Sequence, residues 1–349
     1  VRILVTGGAG YIGAITTRHL LDHGHDVIVL DSLVRGVRRA VDERADFVRA
    51  SVGDAVALEE VLPGCDAVMH MAGLIEVAES QREPGAYFDA NVAEPVRMLE
   101  AMVRHGVDSI VFSSTAAVYG DLKRMPIVED APTHPVNFYG ASKLMFERML
   151  DWYGCAHGLR SVRLRYFNVA GAWPDGSLGE AHDPETHIIP RILEAMKGGQ
   201  SRFEVYGDDY PTADGTCVRD YIHVCDLAQA HLLGLEWLSD EGADWSGLAE
   251  PRSVTEGPGD GSAEKHIFES PPTRVFNLGS GRGYSNLEVL RVCAEVTGVE
   301  IDLVVGPRRP GDPAVLVASA DRAREVLGWE SRPGGLNEMV ADAWRWHTL

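Results

Sequence analysis

The first half of the chain alternates short apolar runs with amphipathic stretches. The runs Arg2–Thr6, Val27–Asp31, Phe47–Arg49, Ala67–His70 and Ser109–Ser113 read as buried strands. The stretches Tyr11–His23, Ala55–Leu62 and the polar-apolar segment leading to His105 read as helices between them. Alternation of this kind predicts βαβ units, and so an α/β fold on a doubly wound parallel sheet with helices on both faces. After a loop rich in Pro and Gly (Leu122–Pro135), the pattern predicts a helix over Asn137–His157 and another buried strand at Ser161–Tyr166.

From about Asn168 the pattern loosens, with Gly and Pro punctuating short elements. Ile188–Lys197, Val224–Leu238 and Asn286–Thr297 read as helical; Phe203–Tyr206 and Val275–Leu278 read as extended. A smaller, irregular second lobe follows from this. Ser239–Pro272 stands apart, with little periodicity and eight acidic against two basic residues, and reads as a solvated acidic surface insertion.

Length and composition, 349 residues at 45% hydrophobic, suffice for one large domain or two closely packed ones. A formal charge of −20 argues against nucleic-acid partners, whose phosphates require clustered Lys and Arg. No apolar run reaches the ~20 residues that span a bilayer, and the start of the chain carries no export-signal pattern, so no membrane and a cytoplasmic location are expected. The five cysteines are scattered and form no C-x-x-C pair, which fits reduced thiols.

Directly after the first predicted strand comes Thr6-Gly7-Gly8-Ala9-Gly10-Tyr11-Ile12-Gly13. Glycine at Gly7, Gly10 and Gly13 lets backbone amides approach a pyrophosphate at a helix N-terminus. An acid, Asp31, ends the next strand, where it accepts from ribose hydroxyls and repels a 2′-phosphate; the expected cofactor is therefore NAD. Arg35, Arg38 and Arg39 follow and could host a 2′-phosphate, but Asp31 weighs against NADP. Residues 1–167 are expected to form a Rossmann-type NAD-binding domain. Residues 168–349 are expected to form mainly a smaller α/β substrate-binding lobe at the C-terminal end, with Val224–Leu238 packing back on the first domain.

Tyr139-Gly140-Ala141-Ser142-Lys143 places Tyr and Lys four apart near a helix start, on one face. A nearby ammonium and the positive nicotinamide ring favour the phenolate, making Tyr139 a usable general base. Upstream, the strand Ser109–Ser113 runs into Ser114-Thr115, a hydroxyl at the sheet edge where such folds bind ligands.

The glycine loop, Ser113-Ser114-Thr115 before Val118-Tyr119-Gly120, and Tyr139…Lys143 together resemble an extended short-chain dehydrogenase/reductase. The rest of the chain outside Ser239–Pro272 resembles the UDP-glucose 4-epimerase family. Its most specific stretches are Leu164–Gly171, Gly207–Val224 and Arg308–Ala314. The resemblance implies a redox cycle that leaves NAD unchanged. Tyr139, assisted by Thr115, takes the proton of the sugar 4-hydroxyl while the C4 hydride passes to NAD; the 4-keto sugar rotates and receives the hydride on its other face. The resemblance also places Tyr11 and Ile12 along the pyrophosphate, Asp54 near adenine, Asn91 by a ribose and Lys143 on the nicotinamide ribose. It adds Ser32, Arg35, Gly36, Ala55, Met71, Ala72, Gly73, Ser113 and Phe167 to the cofactor site. For the UDP-sugar it implies Asn168, Arg219 and Arg309 at the diphosphate, Tyr206 near uracil and Asp312 at its ribose. His187, Ile188, Val205 and Leu316 complete that site.

The chain departs from the family at two places. A Lys that approaches the cofactor phosphates in some members is Ile75, and a bulky Tyr beside the sugar in some members is Leu316, which leaves the sugar open. Alternatives are a UDP-glucuronate or UDP-N-acetylglucosamine 4-epimerase and a non-catalytic NAD-binding regulator. A dehydratase of the same fold would place acids where Ala116 and Ala117 stand. His19, His23 and His25 could in principle bind a metal, but no metal is expected; Glu129 and Asp130 read as a turn. By resemblance, the helical stretches Ala86–His105 and Asn137–His157 are expected to pair in a homodimer.

Overall fold

The computed structural model describes residues 1–200, 202–240, 273–308 and 312–349. The acidic stretch beyond Asp240 and Arg309 therefore lie outside the described residues. The strands are β1 (Arg2–Thr6), β2 (Asp26–Leu30), β3 (Asp46–Val48), β4 (Ala67–His70), β5 (Ser109–Thr115), β6 (Arg160–Tyr166), β7 (Asn168–Ala170), β8 (Arg202–Tyr206), β9 (Val218–His223), β10 (Thr273–Leu278), β11 (Gly283–Ser285), β12 (Asp302–Gly306) and β13 (Val315–Leu316). The helices are α1 (Tyr11–Asp22), α2 (Ala55–Val61), α3 (Val77–Arg82), α4 (Pro84–Phe88), α5 (Glu94–His105), α6 (Phe138–His157), α7 (Ile188–Lys197), α8 (Val224–Ser239), α9 (Asn286–Thr297), α10 (Asp321–Leu327) and α11 (Gly335–Thr348).

Among the described residues, seven strands form one parallel sheet in the order β10-β6-β5-β4-β1-β2-β3. The order reverses direction between β1 and β4, the switch point outside whose carboxyl ends such sheets hold ligands. Because side chains alternate along a strand, successive residues feed opposite cores. Ile3, Val5, Val29 and Val111 face Leu227 and Leu235 of α8. Leu4, Ile28, Val68 and Ile110 face Met98 and Leu99 of α5 and Phe146 of α6.

The chain crosses between lobes more than once. Helix α8 packs on α1, β5 and β6. Strand β10, which follows it, joins the large sheet beside β6 with Val275 opposite Arg163. The smaller lobe holds β9 between β11 and β13, with β7 also on β9, and a separate β8–β12 pair. Its core is built by α7, α9 and α11 through Ile192, Leu193, Val289, Leu336 and Val340.

The predicted helix over Ala86–His105 is interrupted: α4 passes through a π-turn at Asp89–Ala93 before α5 begins, with Pro95 in its first turn. A wide turn of this kind re-aims one side chain, and here it buries Asn91. No described helix is long and apolar enough to cross a membrane.

Candidate active site

The glycine loop joins β1 to α1. A Cβ at Gly13 would lie 2.1 Å from the Gly7 carbonyl oxygen, and one at Gly7 would lie 2.6 Å from the Ala72 nitrogen, so only glycine permits this turn. Helix α1 then starts at Gly10 with no side-chain cap and no acid in its first turn. Its leading amides and the positive end of its dipole are left for an anion.

Asp31 follows β2 and is buried; its Oδ2 accepts from the Ala9 amide at 3.0 Å and its Oδ1 from the Leu33 amide at 2.8 Å. Each oxygen keeps acceptor capacity for a ribose hydroxyl. Gly36 lies against this carboxylate, 2.8 Å from Oδ1 at a notional Cβ, and Ser32 accepts from the Val34 amide at 3.4 Å. Together these features fit a dinucleotide. The Tyr11 phenol does not face it: the hydroxyl donates to the Gly171 carbonyl at 2.6 Å, tying α1 to the second lobe. Ile12 is half-buried beside it.

Other expected cofactor residues already hold protein partners. Asp54 caps α2 through Oδ1, accepting from Val56 and Ala57 at 2.9 and 3.0 Å, with Ala55 exposed next to it. Arg35 is paired with Glu79 at 2.8 Å. Asn91 uses its amide on the protein, donating to the Leu74 carbonyl and to Ser142 Oγ and accepting from the Leu74 amide at 2.8 Å. Its part here is to hold the Met71–Leu74 segment against α6, where Gly73 makes room: a Cβ there would meet Asn91 Oδ1 at 2.8 Å and Lys143 Nζ at 3.4 Å.

Helix α6 is capped by Asn137, whose side chain accepts from the Gly140 amide at 2.8 Å. This start places Tyr139, Lys143 and Glu147 on successive turns, and all three are buried. The Tyr139 phenol lies beside Thr115, close enough for that hydroxyl to favour the phenolate. Thr115 in turn accepts from the Ala117 amide at 3.1 Å at the carboxyl end of β5. Burial pushes the Tyr139 phenol up to about 12, the Thr115 hydroxyl pulls it down, and the Glu76 charge adds to the rise.

In the unliganded chain the Lys143 ammonium is not among the groups that shift Tyr139. Lys143 donates to the Ser113 carbonyl at 3.1 Å and lies over the Phe112 ring. Burial pushes Lys143 down to about 8 against the pull of Glu147. By itself the chain holds Tyr139 protonated.

Four residues are given no role by the sequence reading: Glu147, Arg165, His231 and Tyr166. Burial raises Glu147, but Arg165 outweighs it and keeps the carboxylate low. Arg165 reaches it in a fork, Nε at 2.9 Å and Nη2 at 2.6 Å. His231 of α8 donates from Nδ1 to the Leu227 carbonyl at 2.8 Å, which leaves Nε2 to accept from Ser113 Oγ at 2.8 Å. Burial pushes this imidazole down to about 4. Burial raises the phenol of Tyr166, at the end of β6, and the nearby Tyr139 raises it further.

On the second lobe, Asn168 donates to the Asp220 carbonyl at 3.3 Å. Asp220 is fully buried, accepting from the amides of Ser280, Gly281 and Ala318. Burial raises it, but these donors hold the turn after β10 to β9. Arg219 and Asp312, expected at the diphosphate and at the adjoining ribose of UDP, are hydrogen-bonded to each other. Leu316 stands opposite Arg219 in the β9–β13 pair and packs with Phe167 and Ala116. Val205 is buried and Tyr206 half-buried at the end of β8.

His187 opens α7 but turns its Nδ1 to Glu180 at 2.8 Å and Glu185 at 3.0 Å, while Ile188 packs onto the second core. Ile75 is exposed. His19 is bonded to Gln229 and His23 to the His19 carbonyl, so neither joins a ligand cluster. Glu129 and Asp130 do lie in a turn, closed by the Ala131 amide on the Val128 carbonyl, but Glu129 is buried in it and accepts from the Asn277 amide at 2.9 Å, because β10 returns over that loop.

The sheet, its glycine loop and the buried Tyr139 and Lys143 at the same carboxyl edge define a dinucleotide-dependent enzyme of the doubly wound class. The chain belongs to the NAD dependent epimerase/dehydratase family, whose model matches residues 3–245. It is 46% identical over 347 residues to UDP-glucose 4-epimerase of Lacticaseibacillus casei, covering 99% of this chain and 96% of that one. Among solved structures it is similar to UDP-glucose 4-epimerase from Brucella ovis in complex with NAD, at TM-score 0.86 and 39% identity over 98% of this chain and 97% of that one. It is likewise similar to the Bifidobacterium longum enzyme in complex with NAD+ and UDP, at TM-score 0.86 and 35% identity over 100% and 98%.

Proposed function

We propose that this enzyme inverts the C4 hydroxyl of a UDP-hexose, interconverting UDP-glucose and UDP-galactose. The observation that carries the reading is the buried Tyr139 phenol beside Thr115 at the carboxyl end of β5, with Lys143 one turn further along the same helix. Tyr139 takes the proton of the sugar 4-hydroxyl and returns it, and Thr115 donates to the phenolate as it forms. NAD, when bound, accepts and returns the C4 hydride, and its positive ring favours the ionised Tyr139 that burial alone opposes.

Asp31 holds the adenosine ribose, the start of α1 holds the pyrophosphate, and Lys143 orients the second ribose. Arg219, Asn168 and Arg309 take the UDP diphosphate, so Arg219 exchanges its Asp312 partner for phosphate on binding. An exchange of one anion for another keeps a half-buried guanidinium paired throughout.

The same reading makes the protein a cytoplasmic homodimer. Phe138, Met145 and Trp152 recur every seven residues along α6 and are all exposed, as is Val103 on α5. An apolar stripe of this kind is what two copies would cover. Light scattering should give twice the chain mass, and Trp152→Glu should halve it.

Incubating the purified protein without added cofactor with UDP-glucose, UDP-glucuronate or UDP-N-acetylglucosamine, and reading products by NMR, tests the reaction. A galacto product from UDP-glucose supports it. Conversion of only one of the other two moves the substrate, and three unchanged substrates with NAD bound sink the activity.

A further inference from the structure

The segment between β7 and α7 gathers two imidazoles and two carboxylates that take no part in the proton and hydride transfers, although the family resemblance puts His187 near the UDP-sugar. Glu180, His182, Glu185 and His187 each present one donor atom, and these four atoms all lie within 4.8 Å of one another. His182 Nδ1 and His187 Nδ1 both face Glu180 Oε1, at 2.9 and 2.8 Å. They also face the two oxygens of Glu185, at 3.8 and 3.0 Å. Ligands about 2.0 to 2.2 Å from a tetrahedral ion are separated from one another by about 3.3 Å, so the observed spacings bracket that edge length. Both carboxylate side chains are largely buried, with 8% and 5% of their surface exposed.

Two carboxylates at such close quarters repel each other, and in the metal-free chain the imidazole of His187 is held, against burial, well above its ordinary value between them. A divalent ion would compensate both charges at once. Two nitrogens and two oxygens suit zinc and its neighbours in the first transition row better than magnesium or calcium, which take oxygen shells.

The cluster sits where a clamp has something to hold. The Glu180 carbonyl accepts from Trp346 Nε1 of α11 at 2.8 Å. Thr186 donates to Glu76 at 2.9 Å, and the Asp183 carbonyl accepts from Arg35. The segment therefore spans the cofactor side, the C-terminal helix and the entry to α7. We propose that Glu180, His182, Glu185 and His187 bind one zinc-class divalent ion as a closed structural site that fixes this segment. The proposal is independent of the reaction assigned above, and it departs from the sequence expectation of no metal.

The test uses tag-free protein stripped with chelator and titrated with Co2+ alone, whose tetrahedral complexes absorb in the visible. One equivalent per chain with d–d bands is expected, and elemental analysis after Zn2+ loading should give the same stoichiometry. His182→Gln and His187→Gln should each weaken Co2+ binding by at least about tenfold. His19→Gln with His23→Gln should leave it unchanged. Zn2+ should also raise the melting temperature of the unaltered chain, a readout that needs no variant. Absence of both the bands and the thermal shift, or full Co2+ binding in the His182→Gln, His187→Gln double variant, overturns the proposal in favour of a plain imidazole–carboxylate network.

Discussion

The Lys143 ammonium donates to the main-chain carbonyl of Ser113 at 3.1 Å, so the helix that carries Tyr139 is fastened to β5 by a buried cation. The folded group titrates at about 8 because burial disfavours its charge. A depressed lysine costs stability in full below its folded pKa, and the cost is relieved as pH rises toward the unfolded value near 10.4. The penalty is about 3 kcal/mol at pH 7.

Lys143→Met should therefore melt at the same temperature or higher at pH 7, with the difference shrinking above pH 8, while turnover falls by at least about a hundredfold. Thermal melts at pH 7 and pH 10 beside a turnover assay read both. A variant that is less stable at pH 7 would show that the ammonium contributes more by its contacts than it costs by its burial.

Tyr139→Phe removes the hydroxyl beside Thr115 and keeps the ring, so NAD content and fold should be retained. Loss of the general base should lower kcat by about 10²- to 10⁴-fold. Thr115→Val should lower it less, because it removes only the donor to the phenolate. Near-normal kcat in Tyr139→Phe would mean that another group moves the proton, and Tyr166, the neighbouring phenol, would be examined next.

The parts legible in the sequence are those whose partners lie close along the chain. Gly7, Gly10 and Gly13 betray themselves because the turn tolerates no Cβ, and Tyr139 with Lys143 because four residues make one helical turn. Glu147 carries the same signal, one further turn along, but its partner Arg165 lies on β6, where no helical spacing points to it. Ser113 and His231 are 118 residues apart, and Glu129 and the Asn277 amide 148, so no local pattern joins them. For the same reason, strand β10 read as part of the second half until its register with β6 placed it in the large sheet.

The Glu147–Arg165 pair supports α6 from below Lys143. Both groups are nearly excluded from water, and Ser114 adds a hydrogen bond to the same carboxylate at 2.5 Å. Arg165→Met strands a buried charge and should cost roughly 3 to 5 kcal/mol in denaturant unfolding. Glu147→Leu combined with Arg165→Met should recover most of that, since an apolar pair replaces an ion pair at little net cost. If the double variant is no more stable than Arg165→Met, the hydrogen bonds from Ser114 and to Tyr119 carry the stability instead.

His231 makes the fold acid-sensitive. Its folded pKa, pushed down to about 4, lies below the ordinary value of about 6.5, so the unfolded chain binds a proton that the native imidazole refuses. Stability from this group is complete above about pH 6.5 and falls by roughly 3 kcal/mol as pH drops to about 4. Protonation would also turn Nε2 from acceptor to donor, so Ser113 Oγ would have to accept and its hydroxyl proton find another partner. His231→Gln, whose carbonyl can still accept from Ser113, should lose stability less steeply between pH 6.5 and 4.5 in urea titrations. His70, also buried and lowered, sets the slope that remains. Equal slopes in the variant and the unaltered chain would assign the acid response to His70 and to the carboxylates rather than to His231.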